Sequence, residues 1–185
     1  MRNIFLDCGA WNGCSVDFFR ENYPDGDKFE VFCFECLPAN IEILRKRKDI
    51  RLVRKAVWVK NEFVKFFTAS YTESGTLYSG KTTGGVSTEN PISVETINLV
   101  EFIKDNFSED DNIVLKLNIE GAEYDVIKHM AHHGILGWIN KYYIQWHWNK
   151  IRGFEKSRHD TVSSMIKWHS WDAMLNNVEK FKESL

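Results

Sequence analysis

Ile4-Phe5-Leu6-Asp7-Cys8-Gly9-Ala10-Trp11-Asn12-Gly13-Cys14-Ser15 is an apolar run closed by an acid, then two glycines four residues apart, then the start of an amphipathic segment. It reads as strand, tight turn and helix. Such a turn leaves backbone N–H groups free at the helix start for a polar or anionic ligand. Gly9 and Gly13 carry no Cβ, so a ligand can approach the backbone closely. The rest of the chain is read around a small molecule lying over this turn.

The same alternation continues downstream. Phe29–Glu35 is a second apolar run ending in an acid, the pattern of a strand buried on both faces of a parallel sheet. Helix one presents Val16, Phe19 and Tyr23 on one face, with Ser15 as its cap. Pro38 opens helix two, with Ile41 and Leu44 inward, and Arg45-Lys46-Arg47-Lys48 complements its dipole. Arg51–Trp58 reads as one strand and Glu62–Thr68 as another. Residues 69–91 are rich in Ser, Thr and Gly and poor in core residues, so they form a long, mobile loop and a candidate acceptor lid. Val94–Ile97 is a short strand. Asn98 with Glu101 starts a helix whose inner face is Leu99, Phe102, Ile103 and Phe107. Asn112–Ile119 is a further buried strand, followed by a helix with Val126, Ile127 and Met130 that stops at Gly134. Lys141–Trp148 alternates, with Tyr142, Ile144, Trp146 and Trp148 on one face and Tyr143, Gln145 and His147 on the other. Residues 160–182 read as helix, with Asp160 capping one helix through His169 and Trp171, Met174, Leu175 and Val178 marking a last one. The expectation is one α/β domain over 1–185: a Rossmann-like, doubly wound, mainly parallel sheet with helices on both faces.

Composition narrows the function classes. The chain has 185 residues, 43% hydrophobic and 14% aromatic, enough for a substantial core. A net charge of −2 gives no global field toward nucleic acid or an anionic membrane. No apolar run reaches the roughly 18 residues a membrane span needs, and no apolar leader precedes the first strand. The expected location is the cytoplasm, with Cys8, Cys14, Cys33 and Cys36 as reduced thiols. Cys33 and Cys36 resemble half of a zinc site, but strand alternation sends their thiols to opposite faces, so no metal is assigned.

Glu35 lies about twenty residues past the glycine turn, where an acid can accept both hydroxyls of a ribose. The pairing points to a nucleoside cofactor. A dinucleotide turn wants a second glycine two residues after the first, and here that slot holds Trp11. Its indole occupies the place of a pyrophosphate. S-adenosylmethionine carries no phosphate, and Asp7 suits its ammonium. A nicotinamide oxidoreductase is therefore the disfavoured rival, and a cofactor-binding module without catalysis is the other.

Lys116-Leu117-Asn118-Ile119-Glu120-Gly121-Ala122-Glu123 resembles the Lys-Ile-Asp-Val-Glu-Gly-Ala-Glu signature of FkbM-type methyltransferases, a class I S-adenosylmethionine-dependent family. Phe5–Gly13 resembles that family's first motif. Val31–Pro38 resembles its second, with Cys36 in place of a proline. Lys55-Ala56-Val57 and Val94–Leu99 resemble two further segments, so the resemblance spans about residues 4–147. It implies cofactor contacts from Asp7, Gly9, Ala10, Gly13, Glu35 and the region of Ala56, with Trp11 and Cys36 in the same two motifs. It places Asn118 and Glu120 toward the transferred methyl group or the acceptor. Asn118 stands where the family has Asp, and Gln145 where Glu is common. The terminal antiparallel hairpin of class I enzymes is expected to be shortened or missing. For methyl transfer to a hydroxyl of a sugar or small metabolite, His147 and Glu120 are the candidate bases. Glu120 and Glu123 also have a capping reading. The acceptor is expected to be a small molecule or glycan, with nucleic acid less favoured despite the basic run at 45–48.

Overall fold

Six short runs form one parallel sheet in the computed structural model, which describes residues 1–70 and 74–185. In chain order the elements are β1 (Asn3–Cys8), α1 (Cys14–Asn22), β2 (Glu30–Phe34), α2 (Pro38–Leu44), β3 (Arg51–Val53), β4 (Ala56–Trp58), β5 (Phe63–Phe66), β6 (Ile92–Asn98), α3 (Leu99–Asn106), β7 (Asn112–Leu117), α4 (Glu123–His132), β8 (Ile139–Ile144), α5 (Lys156–Ser163), β9 (Trp168–Ser170), α6 (Trp171–Leu175) and α7 (Val178–Glu183). The main sheet has the order β3-β2-β1-β7-β8-β9, and every pairing in it is parallel. The order reverses between β1 and β7, and the carboxyl end of that junction is where ligands bind in such sheets.

Strand alternation divides the core in two. Ile4, Leu6, Phe32, Phe34, Leu115 and Ile144 pack against α3, α4 and α5. Phe5, Val31, Cys33, Val114 and Tyr143 face α1, α6 and α7 on the other side. The sheet is thus doubly wound, as the sequence predicts. The terminal antiparallel hairpin is absent from it, and β9, parallel to β8, takes that edge. A smaller sheet, β4-β6-β5, lies beside it with β5 antiparallel to β6.

Several sequence expectations need correction. Arg51–Trp58 is two strands: the Lys55 N–H turns back onto the Val53 carbonyl at 2.9 Å, and the chain leaves the main sheet for the small one. The helix expected from Asp160 through His169 starts earlier and ends sooner: α5 spans Lys156–Ser163 with Asp160 inside it, paired with Lys156, Trp168–Ser170 is β9, and the last expected helix is split into α6 and α7. Ser15 is not the cap of α1, which starts from Gly13 in a left-handed conformation. Arg45–Lys48 falls beyond the last turn of α2 and does not serve its dipole; Arg47 pairs instead with Asp17 and Asp49. Asn98 does cap α3, accepting from the Val100 and Glu101 N–H groups. Gly134 ends α4 in a left-handed turn closed by the Ile135 N–H on the Met130 carbonyl. Among the described residues, no helix is long and apolar enough to cross a membrane.

Gly9 is where the fold is least tolerant. Its φ is +81°, and a Cβ there would sit 2.1 Å from the backbone oxygen of Asn118. Left-handed strain in a residue with a side chain costs about 1–3 kcal/mol, and the clash with a neighbouring strand end adds to it. Gly9→Ala is expected to lose more than about 2 kcal/mol of stability in urea unfolding, whereas alanine at Gly137, which meets nothing within 4 Å, is expected to be near neutral.

Candidate cofactor cleft and active site

The glycine turn is assembled from three strands. The Gly9 and Ala10 N–H groups both donate to the Phe34 carbonyl at 3.1 Å, which ties the turn to the end of β2. Trp11 adopts φ 49°, and its N–H donates to Glu35 Oε2 at 2.9 Å. Glu35 Oε1 accepts from the Cys36 and Leu37 N–H groups at 2.8 and 2.9 Å. Burial pushes the Glu35 carboxyl above its ordinary value, and bonds from Leu37, Cys36, Trp11 and the Asn40 side chain oppose that rise. Glu35 therefore clamps strand two to the turn, with both carboxylate oxygens accepting from backbone N–H groups.

Asp7 and Lys116 are register partners on β1 and β7 and form an ion pair at 2.9 Å, both fully or almost fully buried. Lys116 Nζ also donates to the Gly9 carbonyl at 2.7 Å and lies 5.8 Å from the centre of the Trp171 ring. The second oxygen of Asp7 accepts from the Ser15 hydroxyl. Asp7 thus sits beneath the turn and not on the cavity wall. Its sequence assignment to an ammonium ligand meets an oxygen pair already held by Lys116 and Ser15.

Above this floor is a cavity of about 250 Å³. Gly9, Ala10, Trp11, Glu35, Cys36, Ala56, Asn118 and Glu120 line it, so the structure brings together most of the expected cofactor residues. Gly13 is one turn away, capping α1. Sequence reasoning missed Leu37, Val57, Phe66, Leu77, Ile119, Trp171 and Leu175, the apolar walls. Two lysines line the cavity as well, and both are neutralised: Lys116 by Asp7, and Lys55 by Glu95 at 2.5 Å. Asn118 Oδ1 is buried without a hydrogen-bond partner among the described residues.

At the other end, Glu120 holds φ 57°, a left-handed conformation unusual for a residue with a side chain. Glu123, fully buried, accepts from the Ile119 and Gly121 N–H groups at 2.8 and 2.9 Å. It therefore braces the turn that precedes α4 rather than the N–H groups of α4 itself. His147 does not line the cavity. Its Nδ1 is 3.0 Å from Glu123 Oε1, and its Nε2 is 3.4 Å from Glu120 Oε2. Burial lowers the pKa of this ring, but the Glu123 and Glu120 carboxylates outweigh that and raise it.

Thr76 and Lys81 of the 69–91 segment lie against this end of the site. Tyr71, Thr72 and Glu73 of that expected lid lie outside the described residues. Phe67 pairs with Thr76, Ala69 with Val86, and Lys81 with Ile151. Of the basic run, Arg45 pairs with Glu42 and Arg47 with Asp17 and Asp49; Arg51 nearby pairs with Glu30. The four cysteines are free thiols spread over separate environments, with Cys8 and Cys33 on opposite faces of the sheet.

A mainly parallel doubly wound sheet, a glycine turn tied to the acid just after β2 and a cavity at the reversal point define a Rossmann-like α/β fold with a cleft at the carboxyl ends of its strands. The chain matches the methyltransferase FkbM domain over residues 7–176, and it belongs to that methyltransferase family. No curated protein and no solved structure matches it.

The raised pKa of His147 has a consequence for stability. Imidazolium binding between two carboxylates contributes fully below the ordinary histidine value of 6.5 and is lost as pH climbs from there through the raised pKa. His147→Gln is expected to destabilise the fold most below the ordinary histidine value of 6.5, and the gap from the parent protein to shrink as pH rises above it through the raised pKa. Urea unfolding across that range measures it; a gap independent of pH means that the ring is not charged in the folded protein.

Proposed function

We propose that the chain transfers a methyl group from S-adenosylmethionine to a hydroxyl of a sugar or small metabolite. The observation that carries this reading is the pairing of an orphaned acceptor with neutralised lysines. Asn118 Oδ1 is buried at the cavity with no partner, which costs free energy unless a ligand donates to it. Lys55 and Lys116 are both spent on carboxylates, so a pyrophosphate would find no counter-charge. A zwitterionic amino-acid end with a sulfonium suits that balance, and a dinucleotide does not. Asn118 would accept from the ammonium, Glu35 would meet the ribose hydroxyls, and Ala56, Leu37 and Val57 would flank the base. When bound, the cofactor supplies a methyl group on a sulfonium, which an acceptor oxygen takes as the carbon–sulfur bond breaks.

The chain's own part is to place the acceptor and remove its proton. Glu120 is the cavity-lining carboxylate at the end opposite Glu35, and it takes the hydroxyl proton as the new carbon–oxygen bond forms. His147 stands behind it with both nitrogens facing carboxylates, so it positions Glu120 and does not serve as the base. The pairing of Arg45, Arg47 and Arg51 with acids favours a neutral acceptor over nucleic acid.

Transfer of labelled methyl from S-adenosylmethionine to pools of glycans and small metabolites tests this directly. Glu120→Gln is expected to slow transfer by roughly 10²–10⁴-fold, the usual share of a general base, with cofactor affinity kept. Full activity in that variant would remove Glu120 from the role. Silence of the parent protein across every pool would favour a binding module.

A further inference from the structure

Glu120 lines the cavity, yet much of what holds it comes from a loop with no motif of its own. Lys81 Nζ lies 2.5 Å from Glu120 Oε2, and its side chain is 1% exposed. The same ammonium donates to the Ser74 carbonyl at 2.7 Å. Thr76, completely buried, donates its hydroxyl to the Glu120 backbone carbonyl at 2.6 Å. Two residues of one loop thus grip Glu120 at its backbone and at its carboxylate, and they do so where its backbone is left-handed. A conformation of that kind costs about 1–3 kcal/mol and persists only where the surroundings enforce it.

The charges form a chain. Lys81 faces Glu120, Glu120 faces His147 Nε2, and His147 Nδ1 faces Glu123. The remaining charged group facing the ring is Lys150, from the segment just after His147. One ammonium and two carboxylates are balanced only when the ring carries its proton. In a site this buried, an unbalanced charge is costly.

We infer that Lys81 is a positioning residue of the methyl-transfer site, holding the Glu120 side chain in place at the cavity within the chain Lys81–Glu120–His147–Glu123. The inference rests on Glu120 being the group that meets the acceptor. A loop that reads as a lid is then also part of the acid–base machinery: without its lysine, the carboxylate that takes the acceptor's proton loses its balancing cation.

The test reads the His147 ring by ¹⁵N NMR titration of the full chain, which needs no acceptor. Lys81→Met removes a cation and is expected to raise the His147 pKa by about one unit or more. Lys81→Arg is expected to restore the parent value. Glu120→Gln removes a carboxylate and is expected to shift the same ring downward. An unchanged His147 titration in Lys81→Met would overturn the inference. Should that variant not fold, the parent protein still decides: a buried ammonium held by two oxygens gives a slowly exchanging Lys81 proton signal at neutral pH, and its absence would overturn the inference. The labelled-methyl assay reads the parent proposal separately, since a silent enzyme with coupled His147 titration would sink methyl transfer and leave the charge chain standing.

Discussion

The buried pair of Asp7 and Lys116 is the constraint on which the site depends. It joins β1 to β7 at the junction where strand order reverses. Lys116 reaches past Asp7 to the Gly9 carbonyl, so the ion pair also fixes the first turn. Two charges under a sheet are tolerated only when each is fully engaged, and removing one partner of such a pair costs about 3–5 kcal/mol. Ser15 on Asp7 and the Trp171 ring near Lys116 complete that engagement. The floor of the cleft is therefore set before any ligand arrives.

Above that floor the two ends of the cavity differ in kind. At the glycine turn, polar groups are mostly satisfied by the chain itself, and on the cavity wall Asn118 Oδ1 has no hydrogen-bond partner among the described residues. At the Glu120 end, charges face one another across short distances, from the 69–91 loop to α4 to the segment after β8. The first end suits a ligand that donates and carries no phosphate. The second suits chemistry in which one proton must move.

Much of this was legible in the residues, for identifiable reasons. Asp7 and Glu35 each close an apolar strand, and acids in that position need a partner or a ligand; the structure supplies Lys116 and Ser15 for one and backbone N–H groups for the other. The glycine turn was readable because Gly9 and Gly13 take conformations that few other residues tolerate. What stayed hidden depended on distance in sequence. Lys81 and Thr76 sit in a polar stretch without periodicity, and only folding against Glu120 buries them. Trp171 and Leu175 reach the cavity because β9 sets α6 beside β1's turn, and Trp168–Ser170 is too short to announce itself as a strand. The break between β3 and β4 was masked by apolar character running through both. The position of His147 at a strand end was visible in the sequence, and its two carboxylate neighbours were not.

Calorimetry of the purified chain with S-adenosylmethionine, S-adenosylhomocysteine and NAD tests the central claim most directly, because it asks what the cleft was built to hold. The account predicts binding of both sulfur compounds and none of NAD at matched concentration. Tight binding of NAD with neither sulfur compound bound would contradict it.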